Sequence, residues 1–201
     1  MFPIVAAAAV LIAILLVSAA AKPDTFRVQR AIRIDAPPEH IFGMINDFHH
    51  WGAWSPYERL DPAMKRTFSD WARGTGAVYS WESDGKPGVG RMEITESVAP
   101  ARVAIQLDFF KPFAARHCAE FTLQTAEGIT NVTWTMSGRS SFLGRLLNLD
   151  RTIAPDFENG LGYLKAVAER PRNVLDLGLP HVTAIRSAAR PDVVQRRRRV
   201  A

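Results

Sequence analysis

From Phe2 to Ala21 the chain is apolar apart from Ser18, and its first charge is Lys22. A helix rises about 1.5 Å per residue, so roughly twenty such residues cross a hydrocarbon layer of about 30 Å. Spanning as a helix would satisfy every backbone polar group internally, as lipid requires. A helix of a globular core normally keeps one polar stripe; this segment has none and is read as a transmembrane helix. The competing reading is a cleaved signal peptide, with the small residues Ser18 to Ala21 as the cleavage site. The absence of Lys or Arg ahead of the run, and its length, favour a retained anchor. Lys22, Arg27, Arg30 and Arg33 follow the segment. By the positive-inside rule they point to a single-pass protein with a cytoplasmic domain; a periplasmic or extracellular domain stays open.

After the anchor the pattern changes to strict alternation. Phe26, Val28, Arg30, Ile32 and Ile34 share one side of a strand running to Asp35. Pro37-Pro38 stops that strand and opens a helix, because proline is tolerated in a first turn. Ile41, Phe42 and Ile45 form the apolar face of this helix, which ends near Asn46-Asp47. An aromatic stretch, Phe48 to Pro56, has the length of a second short helix. Six strands are then expected: Lys65–Ser69, Ala77–Glu82, Val89–Val98, Arg102–Phe109, Ala114–Thr125 and Ile129–Ser137. Glycine and proline turns separate them, and loops this short imply antiparallel hairpins. Two apolar-periodic pieces close the pattern, Phe142–Leu149 and Thr152–Glu169. In the second, Ile153, Phe157, Leu161, Leu164 and Val167/Ala168 share a face. Pro155 either sits in a first turn or kinks one continuous helix.

Strand, helices, a run of antiparallel strands and a long amphipathic helix make an α+β domain. Its simplest packing curls the sheet around the last helix and leaves room for a cavity between two apolar surfaces. Three regions are expected: a membrane anchor over 1–23, one domain over 24–170, and a basic, disordered tail over 171–201.

Charge changes the picture in one respect. The formal balance is +5, yet residues 170–201 hold eight Arg and two Asp, leaving 17 basic and 18 acidic side chains before them. The folded part is electrostatically balanced, which argues against a nucleic-acid-binding domain. The run Arg196–Arg199 is either a solvated tail or an anionic-lipid contact. The lone cysteine, Cys118, allows no internal disulfide and lacks a second thiol at metal-ligand spacing. No cofactor or metal is expected, and the sequence does not fix an oligomeric state.

Three stretches carry a resemblance. They are IDAPPEHIFGMINDFHHWGAWSPYERLDPAMKRTF, then GTGAVYSWES with GVGRMEITESVAPARVAIQLDFFKPF, and finally AEFTLQTAEGITNVTWTMSG leading into the last helix. Over residues 24 to 169 the chain resembles the polyketide cyclase/dehydrase and lipid-transport branch of the START-like (SRPBCC, Bet v 1-like) superfamily. The resemblance implies a helix-grip fold: a curved antiparallel β-sheet wrapped around a long C-terminal helix, with a hydrophobic pocket between them. It implies ligands among lipids, sterols, polyketides and plant metabolites, and it does not select one.

Alternation marks the side chains expected to face that pocket. They are Tyr79 and Trp81, Met92 and Ile94, then Val103, Ile105, Leu107 and Phe109 on successive strands. His117 and Phe121 follow on the next strand, and Trp134 and Met136 on the last, with Trp54 and the helical Phe157 and Leu161 alongside. Apolar walls with few polar groups suit a hydrophobic small molecule, although plain core packing explains any one of these residues as well. His117 is the candidate general base for an aldol-type cyclisation. By the same alternation Glu93 and Asp108 face outward, so no carboxylate is expected to orient it. His49 and His50 are adjacent and do not share a helix face, which makes them poor joint metal ligands.

Three functions are compatible with this reading. The first is a membrane-anchored module that binds a hydrophobic small molecule or lipid. The second is a cyclase or dehydratase-like enzyme working through His117. The third is a protein-interaction module at the membrane.

Overall fold

The computed structural model describes residues 3–5, 24–140 and 149–170. The segment expected to be an anchor, apart from the helical turn Pro3–Val5, therefore lies outside the described residues, as do the piece from Phe142 to Asn148 and the whole tail from Pro171. Among the described residues no helix is long and apolar enough to cross a membrane.

Strand β1 (Thr25–Ile34) leads into α1 (Pro38–Asn46), which buries Ile41, Phe42, Met44 and Ile45. Pro38 opens the helix at a position whose missing N–H would have had no intrahelical partner. Two 3₁₀ helices follow, Phe48–Ala53 and Pro56–Arg59. The first is the short helix expected from the aromatic stretch; the Asp47 side chain caps it by accepting from the His49 N–H. The second had no periodic signal in the sequence.

Six strands then run in hairpin succession: β2 (Lys65–Phe68), β3 (Val78–Glu82), β4 (Val89–Val98), β5 (Arg102–Lys111), β6 (Ala115–Ala126) and β7 (Ile129–Arg139). All six lie within a few residues of the expected bounds. With β1 added beside β7, they form one seven-stranded antiparallel sheet in the order β1-β7-β6-β5-β4-β3-β2. The register of β4 and β5 slips twice, between Val89 and Gly90 and between Ile94 and Glu96. Such bulges add local twist and bend a sheet. At the first slip Gly88 has φ +62°, and a Cβ there would lie 2.2 Å from the Lys111 carbonyl oxygen. Only glycine fits that turn.

The chain ends its described part with α2 (Leu149–Ala168), a continuous helix that contains Pro155. Ala154, Phe157, Leu161, Leu164 and Ala168 are its buried face, at the three- and four-residue spacing of one helical stripe. That face lies on the sheet, as a helix grip requires. Fully burying a side chain such as Phe157 or Leu161 contributes about 1.5–3 kcal/mol. Lys165 and Glu169 fasten the end of α2 to β1: Lys165 Nζ donates to the Arg33 carbonyl, and Glu169 accepts from the Asp35 N–H.

The centre of the core is aromatic. Trp134 stacks on Phe157 with centroids 4.0 Å apart and planes 7° from parallel, and Phe121 stacks on its other side at 4.9 Å. Trp51 and Trp54 are both buried, with indole N–H groups donated to the carbonyls of Ile45 and Met44. This pair therefore ties the first 3₁₀ helix to α1.

Candidate ligand cavity

A cavity of about 330 Å³ lies between the inner face of the sheet and α2. Its floor comes from alternate strand positions. Tyr79 and Trp81 line it from β3, Met92 from β4, and Ile105, Leu107 and Phe109 from β5. His117 and Ala119 continue the wall on β6, and Trp134 and Met136 on β7. Nine of these residues are among those expected at the pocket, and Ala119, on the same face of β6 as His117, is the addition.

Six residues expected at the pocket are elsewhere. Trp54, Ile94, Val103, Phe121, Phe157 and Leu161 are buried in the core and do not line the cavity. The reason is position along the strand. Val103 pairs with Phe121, whose ring meets Trp51 and Trp54. Toward that end of the sheet the tryptophans fill the space; toward the other end no described side chain does, and the cavity remains.

The polar groups of the wall come mostly from segments without strand periodicity. Glu58, in the second 3₁₀ helix, lines the cavity with its side chain only 9% exposed. Its Oε1 accepts from the Tyr79 hydroxyl at 2.6 Å and its Oε2 from Arg66 Nε at 2.6 Å. Arg66 is satisfied further by the Met64 carbonyl. Burial, followed by the hydrogen bond to Glu58, raises the Tyr79 phenol well above its usual range, so it stays protonated and remains the donor. Tyr57 is raised in the same direction, first by burial and then by the charge of Asp156. Asp156, on α2, also lines the cavity and approaches Lys86 at 3.9 Å. Carboxylates therefore do line the cavity, although neither is paired with His117 among the described residues. Glu58 and Asp156 are supplied by helices that strand counting does not reach.

Glu93 and Asp108 face outward, as alternation requires. Glu93 accepts from Arg91, and Asp108 accepts from Arg116 at 2.7 Å. His117 is half-buried, and burial lowers its pKa below the usual 6.5. Its ring meets Phe26 edge-on at 4.9 Å and Phe109 at 5.6 Å. Among the described residues the imidazole has no hydrogen-bonding partner, so nothing fixes its tautomer for proton transfer. Gly138 makes room for it, since a Cβ there would lie 2.5 Å from His117 Cδ2. His49 bonds Asp47, and His50 bonds the Gly43 carbonyl. No group of three or more metal-ligating side chains occurs among the described residues.

Among the described residues, the exposed lining residues Leu60, Lys86, Lys111, Phe113 and Thr152 gather where the β3–β4 and β5–β6 turns approach the first turns of α2, and this marks the mouth. The arrangement is a largely apolar wall, open at one side, with one buried carboxylate–phenol–guanidinium group and charges at the rim. It can hold an apolar body and offer hydrogen bonds at a few places, the Glu58–Tyr79 pair, Asp156 and the His117 ring among them.

A family model described as polyketide cyclase / dehydrase and lipid transport matches residues 25–169. No curated protein matches the sequence. Solved structures share the fold at low identity. A protein of Chromobacterium violaceum is 16% identical, with a TM-score of 0.54 over 74% of this chain and 100% of that one. Aha1 from Colwellia psychrerythraea, solved as a dimer, is 19% identical, with a TM-score of 0.52 over 74% of this chain and 99% of that one. The di-domain ARO/CYC protein BexL is 14% identical, with a TM-score of 0.57 over 77% of this chain and 53% of that one.

Proposed function

This chain belongs to the polyketide cyclase / dehydrase and lipid transport family, and on that premise we propose that it is a binding module holding a hydrophobic small molecule or lipid in the cavity between the sheet and α2. The observation that carries the reading is the cavity itself. At about 330 Å³ it falls within the range of ligand pockets, about 300–1,000 Å³. Its wall is mostly aliphatic and aromatic, with the carboxylates Glu58 and Asp156 and the His117 ring inside the rim and Glu58 held by Tyr79 and Arg66. A bound molecule would bury its apolar body against Met92, Ile105, Leu107 and Met136. A hydroxyl or carbonyl on it would be placed at Glu58 and Tyr79.

Catalysis is the second reading in the family, and the site favours it less. A cyclase or dehydratase step needs a positioned proton acceptor, and His117 lacks an orienting partner among the described residues. The apolar run Phe2–Ala21 supports a tether that keeps the domain at a membrane. A tethered domain would draw its ligand from the lipid phase.

Native mass spectrometry of the full chain released from nanodiscs, with solvent extraction of whatever co-purifies, tests this. A stoichiometric apolar molecule is the expected result. A chain that carries none and fails to bind any lipid or apolar dye offered to it would overturn the binding reading.

A further inference from the structure

The strand register places the start of the domain at the cavity mouth. Thr25 pairs with Arg139 and Phe26 with Gly138, while Gly138 also pairs with His117 and Leu107 pairs with His117. Val89 pairs with Lys111. The beginning of β1, the β3–β4 turn and the β5–β6 turn therefore share one end of the sheet. Phe26 confirms the placement by its ring contact with His117, a wall residue. Between the apolar run and β1 stand only Lys22, Pro23 and Asp24, a reach of at most about 11 Å when extended.

The same end carries exposed apolar side chains. Phe113, at the tip of the β5–β6 turn, is 72% exposed; Phe110, skipped where the β4–β5 register slips, is 54% exposed; Leu60 is 42% exposed. Leu60 is held beside the β3–β4 turn because the next residue, Asp61, accepts from the Ser83 hydroxyl. Trp71, in the β2–β3 loop, and Val98, the last residue of β4, are the other exposed large side chains among the described residues of the domain and stand at the opposite end. Lys86 and Lys111 stand among the apolar rim residues. Lys86 has only the 3.9 Å approach to Asp156, and Lys111 has no ion pair among the described residues. Exposed aromatic and aliphatic side chains interleaved with lysine are the composition of a membrane-interface contact.

We propose that the cavity mouth is a membrane-docking surface. Phe110, Phe113 and Leu60 enter the headgroup region of an anionic bilayer, Lys86 and Lys111 meet its phosphates, and the cavity opens toward the lipid. This rests on the reading of a tethered domain with a lipid-phase ligand, and it adds an orientation. A domain held by the same tether with its mouth turned to water could not receive a ligand directly from the bilayer.

The test uses the full chain carrying Cys118→Ser, with one new cysteine at Phe113→Cys or at Val98→Cys, labelled with an environment-sensitive nitrobenzoxadiazole dye. The labelled chains are placed in vesicles of phosphatidylcholine with or without phosphatidylglycerol, and doxyl-labelled lipid is the quencher. Quenching at 113 is expected to exceed that at 98 several-fold, and more so with phosphatidylglycerol present. Lys86→Glu with Lys111→Glu should remove the phosphatidylglycerol-dependent part. Equal quenching at the two positions overturns the docking. So does a dye at 113 that is shielded from aqueous iodide yet untouched by doxyl lipid, since a protein segment or a second copy then covers the mouth. Alkaline carbonate extraction separates the two readings. A chain washed off the vesicles overturns the tether and the docking together, whereas a retained chain with a water-exposed position 113 overturns the docking alone.

Discussion

Tyr79 donates its hydroxyl to Glu58 Oε1 at 2.6 Å in a cavity wall that is mostly apolar. Glu58 is also held by Arg66, so its charge is balanced within the wall. A hydrogen bond to a charged group contributes about 1.5–3 kcal/mol. Tyr79→Phe should therefore lower stability by that order, while keeping the aromatic contacts to Phe48 and Phe68. Glu58→Ala should cost more, because it leaves the Arg66 guanidinium without its carboxylate. Thermal unfolding of the two single variants and the double variant measures the coupling. Purely additive losses would mean that the pair is not a unit.

His117 predicts a pH dependence of stability. Burial lowers its pKa below 6.5 in the folded state, so the folded chain binds fewer protons there than the unfolded one. The contribution is full above pH 6.5 and is lost as the pH falls through the lowered value. His117→Gln should flatten the loss of stability between neutral pH and about pH 5. Glu169 is also lowered, first by its bond to Lys165 and then by the Asp35 N–H. Its contribution is present above the ordinary 4.5 and is lost below it, so the loss at His117 sets in first as the pH falls. A variant whose stability profile matches that of the original chain down to pH 5 would show that His117 is not desolvated.

The sequence makes the inner face of the sheet legible because alternation has a period of two and one face is buried. It tells which way Phe121 and His117 point and nothing about where along β6 the cavity begins. That boundary is set by Trp51 and Trp54, which pack on Phe121 and stop short of His117. Glu58 could not be found the same way, since Pro56–Arg59 is a 3₁₀ turn too short to show a period. Asp156 occupies a polar position on an amphipathic helix, where the ordinary expectation is a solvated face. The closure of the sheet by β1 beside β7, which brings Phe26 to His117, is a long-range pairing that no local pattern announces.

Two glycines of α2, separated by one residue, should respond in opposite directions. Alanine exceeds glycine in helix propensity by about 1 kcal/mol. Around Gly162 a Cβ would meet nothing within 4 Å, so Gly162→Ala should stabilise by about 0.5–1 kcal/mol. At Gly160 a Cβ would stand 2.8 Å from Pro56 Cδ and 2.9 Å from Trp134. Trp134 is held between Phe121 and Phe157 and has little freedom to withdraw. Overpacking there costs about 1–3 kcal/mol, and Gly160→Ala should be destabilising despite its better propensity. Melting temperatures of the two variants check the contrast. A stabilised Gly160→Ala would mean that α2 rests less tightly on Trp134 than the geometry shows.

Wall and core residues of one strand should separate in the same experiment. Ala119 and Phe121 lie two positions apart on β6 and both face inward, but only Ala119 lines the cavity. Ala119→Leu directs a larger apolar side chain into open space between Ile105 and Met136, its partners in the register. It should leave the melting temperature close to that of the original chain and weaken retention of an apolar ligand tenfold or more, a difference of about 1.4 kcal/mol. Phe121→Ala opens a hole in the aromatic core and should cost about 3–5 kcal/mol. Ligand retention by native mass spectrometry, with melting temperatures on the same samples, gives both readouts. If Ala119→Leu retains the ligand as well as the original chain does, the ligand does not occupy this cavity.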